Sequence, residues 1–152
     1  MDAILKTKMG KYYIQFSDNG LSLLSFDIPS KCINDGEKTI FAKDVQKQLD
    51  EYFTGKRKKF ELLLDLKGTS FQMKVWKELS KISYGKTLSY GDISKKINLP
   101  KGARAIGGAN NKNPLPIIIP CHRVIQSDGK LGGYAGGLVL KQQLLDLEQK
   151  NI

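Results

Sequence analysis

An apolar run fenced by prolines dominates the second half of the chain: Pro114-Leu115-Pro116-Ile117-Ile118-Ile119-Pro120, followed at once by Cys121-His122-Arg123-Val124. Proline fixes φ and lacks the N–H that a helix interior or a central strand requires, so a helix is excluded here. The three isoleucines between the prolines call for burial. The segment reads as a short buried extended stretch that delivers Cys121 to a fixed place. A thiol attacks as its thiolate, and a neighbouring base or cation favours that form. His122, the single histidine of the chain, stands directly beside it. A cysteine after an apolar run can equally be a small core residue, and Cys and His alone leave both readings open.

Positive charge is concentrated in the same half. Residues 1–65 carry 11 Lys+Arg against 10 Asp+Glu, whereas residues 66–152 carry 14 against 5, so +9 of the total +10 lies there. Such a surplus fits a polyanionic partner bound with counterion release; a lysine-rich solvated surface gives the same count. At 152 residues the chain can form one domain or two small ones, and 40% apolar residues suffice for a globular core. No apolar run approaches a bilayer span, and the opening residues lack the basic-then-apolar pattern of a secretory leader, so the expected location is cytoplasmic. Two cysteines, Cys32 and Cys121, with one histidine make neither a disulfide framework nor a zinc site; no metal or cofactor is expected.

The first sixty-odd residues read as a small α/β support unit. Tyr12-Tyr13-Ile14-Gln15-Phe16 and residues 21–26 flank Ser17-Asp18-Asn19-Gly20, a hairpin signal. Residues 27–38 form a loop, which makes Cys32 an incidental thiol. Apolar positions 41, 45, 49, 52 and 53 recur at helical spacing and stop at Thr54-Gly55, a helix C-terminus. Phe60-Glu61-Leu62-Leu63-Leu64-Asp65-Leu66 reads as a strand. No constellation of catalytic type occurs in this half.

After Lys67-Gly68 the pattern becomes helical. Thr69 or Ser70 caps a helix through Phe71, Val75, Trp76 and Leu79, and Tyr84-Gly85-Lys86-Thr87 turns the chain. Ser89 caps a helix over 90–97, Asn98-Leu99-Pro100-Lys101-Gly102 interrupts it, and a second short helix spans 103–111, the spacing of a helix-turn-helix. That second helix contains Ala103-Arg104-Ala105-Ile106-Gly107-Gly108-Ala109-Asn110. Two interior glycines cost about 1 kcal/mol each in helix propensity. Small residues let a backbone approach another surface closely, either a packed helix or a nucleic-acid groove. The fold class is therefore α+β: an N-terminal α/β support domain, 1–66, then a mainly helical domain with a helix-turn-helix, 67–152.

Several motifs now fall into one order. They are Gly68-Thr69-Ser70-Phe71-Gln72, Val75-Trp76, Tyr84-Gly85-Lys86-Thr87-Leu88-Ser89-Tyr90, Arg104-Ala105-Ile106-Gly107, Asn113-Pro114, Pro120-Cys121-His122-Arg123-Val124, Gly132-Gly133-Tyr134-Ala135-Gly136-Gly137 and Leu144-Leu145-Asp146-Leu147-Glu148. Over residues 41–149 the chain resembles the O6-alkylguanine-DNA alkyltransferases; the first forty residues match in general character only.

The resemblance implies DNA repair by direct reversal. A damaged nucleotide of double-stranded DNA is flipped out through the minor groove, and its alkyl group moves irreversibly to a cysteine of the protein, here Cys121, in a single turnover by a monomer without cofactor. O4-alkylthymine as a further substrate stays open. Arg104 matches the arginine that fills the vacated stack, with Ala103, Gly107, Gly108 and Arg123 as further DNA contacts. Tyr90 matches the tyrosine that crowds the 3′ phosphate and assists protonation of the leaving base. His122 matches a base acting through a water, Glu148 the carboxylate that orients it, and Lys141 a lysine with a supporting electrostatic role. Asn113 matches a hinge between the helix and the cysteine segment. Val124, Tyr134, Ala135 and Gly136 match the guanine pocket, with Ala135 where many relatives carry a serine hydroxyl. Arg123 can equally be structural, Trp76 a core residue, and Glu148 an ordinary helix-end carboxylate. Two other classes compete. A non-catalytic relative that senses alkylated DNA would lack the acceptor cysteine, which is intact here. A transcription factor of helix-turn-helix type would read bases in the major groove, for which the side-chain-poor helix gives little means.

Overall fold

In the computed structural model, which describes residues 1–152, apolar alternation over the first 25 residues builds an antiparallel sheet. Its strands are β1 (Asp2–Thr7), β2 (Gly10–Ser17) and β3 (Gly20–Ser25), in the order β1-β2-β3. Ile4 faces Tyr13, and Ile14 faces Leu24. The β2–β3 hairpin stands where the Asp-Asn-Gly turn predicts it, and β1 adds a third strand to the two segments read from the sequence. Helix α1 (Ile40–Phe53) is capped by the Thr39 side chain, which accepts from the Ala42 N–H. Ala42, Val45, Leu49, Tyr52 and Phe53 form its buried face, and Phe53 stacks on Tyr12 at 5.9 Å between ring centroids. Thr54 ends the helix and Gly55, at φ +77°, turns the chain away. Cys32 is half-buried, its Sγ 3.6 Å from Asp2 Oδ2.

The strand expected over residues 60–66 does not form. Only Leu21 and Leu64 make a bridge, through Leu21 N–H to Leu63 O at 2.9 Å and Asp65 N–H to Leu21 O at 2.8 Å. The buried side chain of Gln48 takes the place of a strand neighbour. Its Nε2 donates to Glu61 O at 3.1 Å and its Oε1 accepts the Glu61 N–H at 2.9 Å. A side chain on a helix can satisfy one residue of backbone but cannot propagate a ladder. These elements make up one compact unit, Met1–Lys67; a second comprises Gly68–Ile152.

In the second unit α2 (Ser70–Leu79) opens with a reciprocal capping box between Thr69 and Gln72 and buries Val75, Trp76 and Leu79. Helix α3 (Tyr90–Lys96) opens with the same device between Ser89 and Asp92. Helix α4 (Ala103–Asn111) turns Ile106, Ala109 and Asn110 inward, and Trp76 Nε1 donates to Ala109 O at 2.9 Å. The turn between α3 and α4 is stitched by buried Ser94, whose hydroxyl donates to Leu99 O and accepts the Gly102 N–H at 3.0 Å. A two-residue parallel pair, β4 (Leu88–Ser89) with β5 (Val124–Ile125), precedes α5 (Leu138–Lys150). No helix is long and apolar enough to cross a membrane.

The proline-fenced run is buried as expected but not extended. Ile119 N–H bonds to Leu115 O at 2.8 Å and Cys121 N–H to Ile119 O at 2.7 Å, with Ile117 at φ +75°. Cys121–Arg123 then form one turn of 3-10 helix. Prolines that remove N–H groups rule out a ladder as firmly as a helix, and a tight turn is what remains. A β-branched residue held in the left-handed region is a strained position that the surrounding packing over-determines.

Gly20 sits at φ +130°, where a Cβ would lie 2.5 Å from Leu63 O and 2.6 Å from Leu63 C. Neither atom can swing aside. Gly20→Ala is expected to destabilise by on the order of 2 kcal/mol or more. Gly10→Ala, at φ +106° with nothing within 4 Å, carries the conformational part alone, about 1 kcal/mol. Urea midpoints of both variants check this; equal losses would remove the contact from the account.

Candidate active site

Helix α5 buries two charged residues on the stripe that also carries Leu144: Lys141 and Glu148, both fully inaccessible. Each is satisfied by hydrogen bonds. Glu148 Oε2 lies 2.7 Å from His122 Nε2 and accepts from Arg123 Nη2 at 3.0 Å. Its Oε1 accepts from Arg123 Nε at 2.8 Å and from the Gly85 N–H at 3.1 Å. Gly85 has φ +77°, which lets the turn present its N–H inward. Burial by itself would raise the Glu148 pKa, but the hydrogen bonds and charges of His122 and Arg123 outweigh it and hold the carboxyl at about 2. An ionised carboxylate only accepts, so His122 Nε2 carries the proton in this pair and a neutral ring keeps its lone pair on Nδ1. Burial lowers the His122 pKa against the opposing pull of Glu148.

Arg123, expected among the DNA contacts, is not available for one. It is 7% exposed, its Nη1 donates to Ile82 O at 2.7 Å, its other two nitrogens bind Glu148, and its guanidinium lies 5.7 Å over the Tyr84 ring. All three nitrogens are engaged inside the protein, so a phosphate contact would break a buried ion pair.

Cys121 is buried, and desolvation pushes its thiol up to about 11 despite the opposing Asn113 side chain and Lys141 charge. Asn113 holds the turn ahead of it: Nδ2 donates to Ile119 O at 2.9 Å and Oδ1 accepts from Leu115 N–H at 2.9 Å. The Asn113 N–H also bonds to Asn110 O at 3.3 Å, tying that turn to α4. Lys141, expected in a supporting electrostatic role, donates to three carbonyls, Val124 O at 2.7 Å, Leu131 O at 2.5 Å and Gly133 O at 3.2 Å, while its charge opposes the rise of the Cys121 pKa. Its ammonium positions the 131–133 loop against β5. Burial brings its pKa down to about 8, partly offset by Cys121.

Tyr90, the first residue of α3, lies between the loop and α4. A Cβ at Gly132 would be 3.2 Å from Tyr90 Cε2 and OH, and one at Gly107 4.0 Å from Cε1. Its phenol pKa is raised, by burial first and by Cys121 second. Tyr134 meets the His122 ring edge-on at 6.5 Å. Val124 is buried, Ala135 exposed and Gly136 half-buried. On α4, Ala103, Arg104 and Gly108 are exposed and Gly107 is half-buried, and a Cβ at Gly108 would meet nothing within 4 Å. The exposed positions of this helix are small or polar, and Arg104 is its one charged side chain.

The arrangement thus brings Cys121, His122, Glu148, Tyr90, Asn113 and the pocket loop into one unit with α4. Sequence reading missed the Arg123 fork, the Gly85 N–H and the lysine staple. The signal for two of these was present: Lys141 and Glu148 share helical spacing with Leu144, a stripe that should be wholly apolar if it only packed a core.

Two family models match the chain. Residues 70–150 match the 6-O-methylguanine DNA methyltransferase DNA-binding domain, and residues 2–66 the ribonuclease-like domain of the same family. A methylated-DNA–protein-cysteine methyltransferase of Methanosarcina barkeri is 44% identical over 156 residues, covering 98% of this chain and 97% of that protein. One of Mycobacterium tuberculosis is 54% identical over 102 residues, 67% of this chain and 62% of the relative. Among solved structures, Mycobacterium tuberculosis OGT in complex with DNA superimposes with a TM-score of 0.87 at 38% identity, covering 99% of this chain and 93% of that one. The O6-methylguanine DNA methyltransferase of Methanococcus jannaschii gives 0.71 at 32% identity, covering 93% and 90%.

A carboxyl held below its ordinary 4.5 contributes stability that is full above that value and fades as pH falls towards about 2. Glu148→Gln leaves nothing to titrate. Its deficit in unfolding free energy relative to the unaltered chain is expected to be large at pH 6 and to shrink by pH 3, as read from urea melts. A deficit independent of pH would show that Glu148 is not held ionised by its partners.

Proposed function

We propose, because the chain belongs to the 6-O-methylguanine DNA methyltransferase family, that Cys121 is the residue onto which it moves the alkyl group of O6-alkylguanine in DNA. The activity is that of a methylated-DNA–protein-cysteine methyltransferase, repair by direct reversal in which the protein is consumed. The observation that carries the assignment of residues is the single buried thiol beside an imidazole–carboxylate pair, next to a helix whose exposed face offers little but backbone and Arg104.

The alkyl carbon is unreachable inside a duplex, so the nucleotide must be flipped out, at a few kcal/mol of lost stacking. Arg104 fills the vacated space while Ala103, Gly107 and Gly108 let the α4 backbone approach the minor groove. In the free protein Cys121 is a thiol, not a thiolate, since burial holds its pKa at about 11. A base is therefore needed. His122, neutral and bonded through Nε2 to Glu148, accepts the thiol proton at Nδ1 through a water. Sulfur then forms a bond to the alkyl carbon, the carbon–O6 bond breaks, and its electron pair passes into the purine, which takes up a proton and leaves as guanine. Tyr90, kept protonated by burial, is the donor at that oxygen. The loop held by Lys141 lines the base pocket with Tyr134 and Gly136. Ala135 offers no hydroxyl to O6, so polar contacts there come from backbone. No group regenerates the thiol. The chain acts as a cytoplasmic monomer on double-stranded DNA.

Intact-protein mass spectrometry after incubation with a duplex containing one O6-methylguanine tests the assignment. A gain of one methyl, absent in Cys121→Ala, is expected; tight binding with no change in mass would make the chain a damage sensor. Arg104→Ala separates flipping from chemistry. Transfer from duplex DNA is expected to fall on the order of 10- to 100-fold, with transfer from free O6-benzylguanine nearly unchanged. Equal losses on both substrates would refute the role of Arg104.

A further inference from the structure

Arg123 is the one charged group of the site for which the reaction as derived has no use. It is nevertheless buried, and its guanidinium is engaged on every side: two bonds to Glu148, one to Ile82 O, and a face on Tyr84. A buried ion pair stabilises a fold little better than apolar side chains of the same volume, so stability alone is a weak reason for it.

The groups facing His122 set what Arg123 can do. Glu148 and Lys141 approach from α5, Arg123 and Cys121 from its own turn, and the Tyr134 ring from the loop. Of these only Glu148 is an anion at neutral pH, and it lies 2.7 Å from Nε2. Without the guanidinium, that carboxylate would draw a second proton onto the imidazole, and an imidazolium cannot accept the thiol proton. It could also rotate and lose its aim at Nε2. The guanidinium fork prevents both, touching Oε1 through Nε and Oε2 through Nη2.

We propose that Arg123 is a positioning residue of the transfer step, clamping both oxygens of Glu148 so that His122 stays a neutral base with its Nε2–H on the carboxylate. The charge of Arg123 lowers the His122 pKa, in the same direction as this geometry. The inference rests on His122 acting as the base of the transfer reaction. It also explains why an arginine follows the histidine: a lysine is a point donor that cannot grip two oxygens and the Ile82 carbonyl together.

His122 is the only histidine in the chain, so its ring resonances can be followed by NMR without ambiguity. In Arg123→Met without DNA, the His122 titration is expected to move up by about one pH unit or more. Methyl transfer from an O6-methylguanine duplex is expected to fall at pH values below the new His122 pKa and to recover as pH rises through it. Arg123→Lys should move the titration in the same direction by less, and it carries the test if the methionine variant does not fold. Arg123→Met/Glu148→Gln, lacking both charges, should bring the titration back down without restoring the rate. A His122 titration unchanged in folded Arg123→Met or Arg123→Lys would overturn the proposal, whatever happens to the rate. A wild-type pH–rate profile in either variant would overturn it as well. Failure of the unaltered protein to methylate Cys121 would instead remove the transferase reading, while the NMR titration would still report the coupling.

Discussion

The carboxylate of Glu148 is the interaction on which the second unit turns. One buried anion gathers the Gly85 N–H from the turn after α2, His122 and Arg123 from the turn that carries the thiol, and its own helix α5. An anion in so dry a place is tolerable only when its lone pairs are met, and four donors do that here. The consequence is that the positions of Cys121 and His122 are fixed by electrostatics as much as by packing. Three elements distant in sequence have to agree on a single point before the carboxylate is stable.

Lys141 has the complementary role, seven residues earlier on the same helix. Its ammonium collects the carbonyls of Val124, Leu131 and Gly133 beside the pocket. Helix α5 therefore presents an anion that collects donors and a cation that collects acceptors, with Leu144 between them. The loop of residues 131–137, rich in glycine and poor in regular structure, is held from beneath by a charge. Tyr90 closes it from the other side at a distance that a Cβ on Gly132 would disturb.

Much of this is legible in the sequence, for reasons that differ by element. The capped helices α1, α2 and α3 follow from apolar spacing and from Thr39, Thr69 and Ser89, because caps and periodicity are local. The motif around Cys121 and the pairing of His122 with Glu148 come through resemblance, since nothing local joins residues 26 positions apart. The departures from expectation share a cause. The strand over 60–66 is absent because Gln48, on α1, takes backbone bonds that a strand would have taken. The run before Cys121 is not extended because Ile117 adopts a left-handed conformation that no propensity of isoleucine indicates. An arginine in a basic domain ordinarily meets phosphate, whereas the true partner of Arg123 lies 25 residues downstream. For Gln48 and Arg123 a tertiary partner overrides a local preference.

Burial of Cys121 has a bearing on how the molecule is conserved between lesions. With burial pushing its pKa up to about 11, the thiol form dominates at neutral pH, and dissolved electrophiles and oxidants react with the ionised form. The thiol proposed as the acceptor is thus held in its less reactive form towards small electrophiles. On the proposed single-turnover chemistry, the number of intact molecules then measures how many lesions can still be removed.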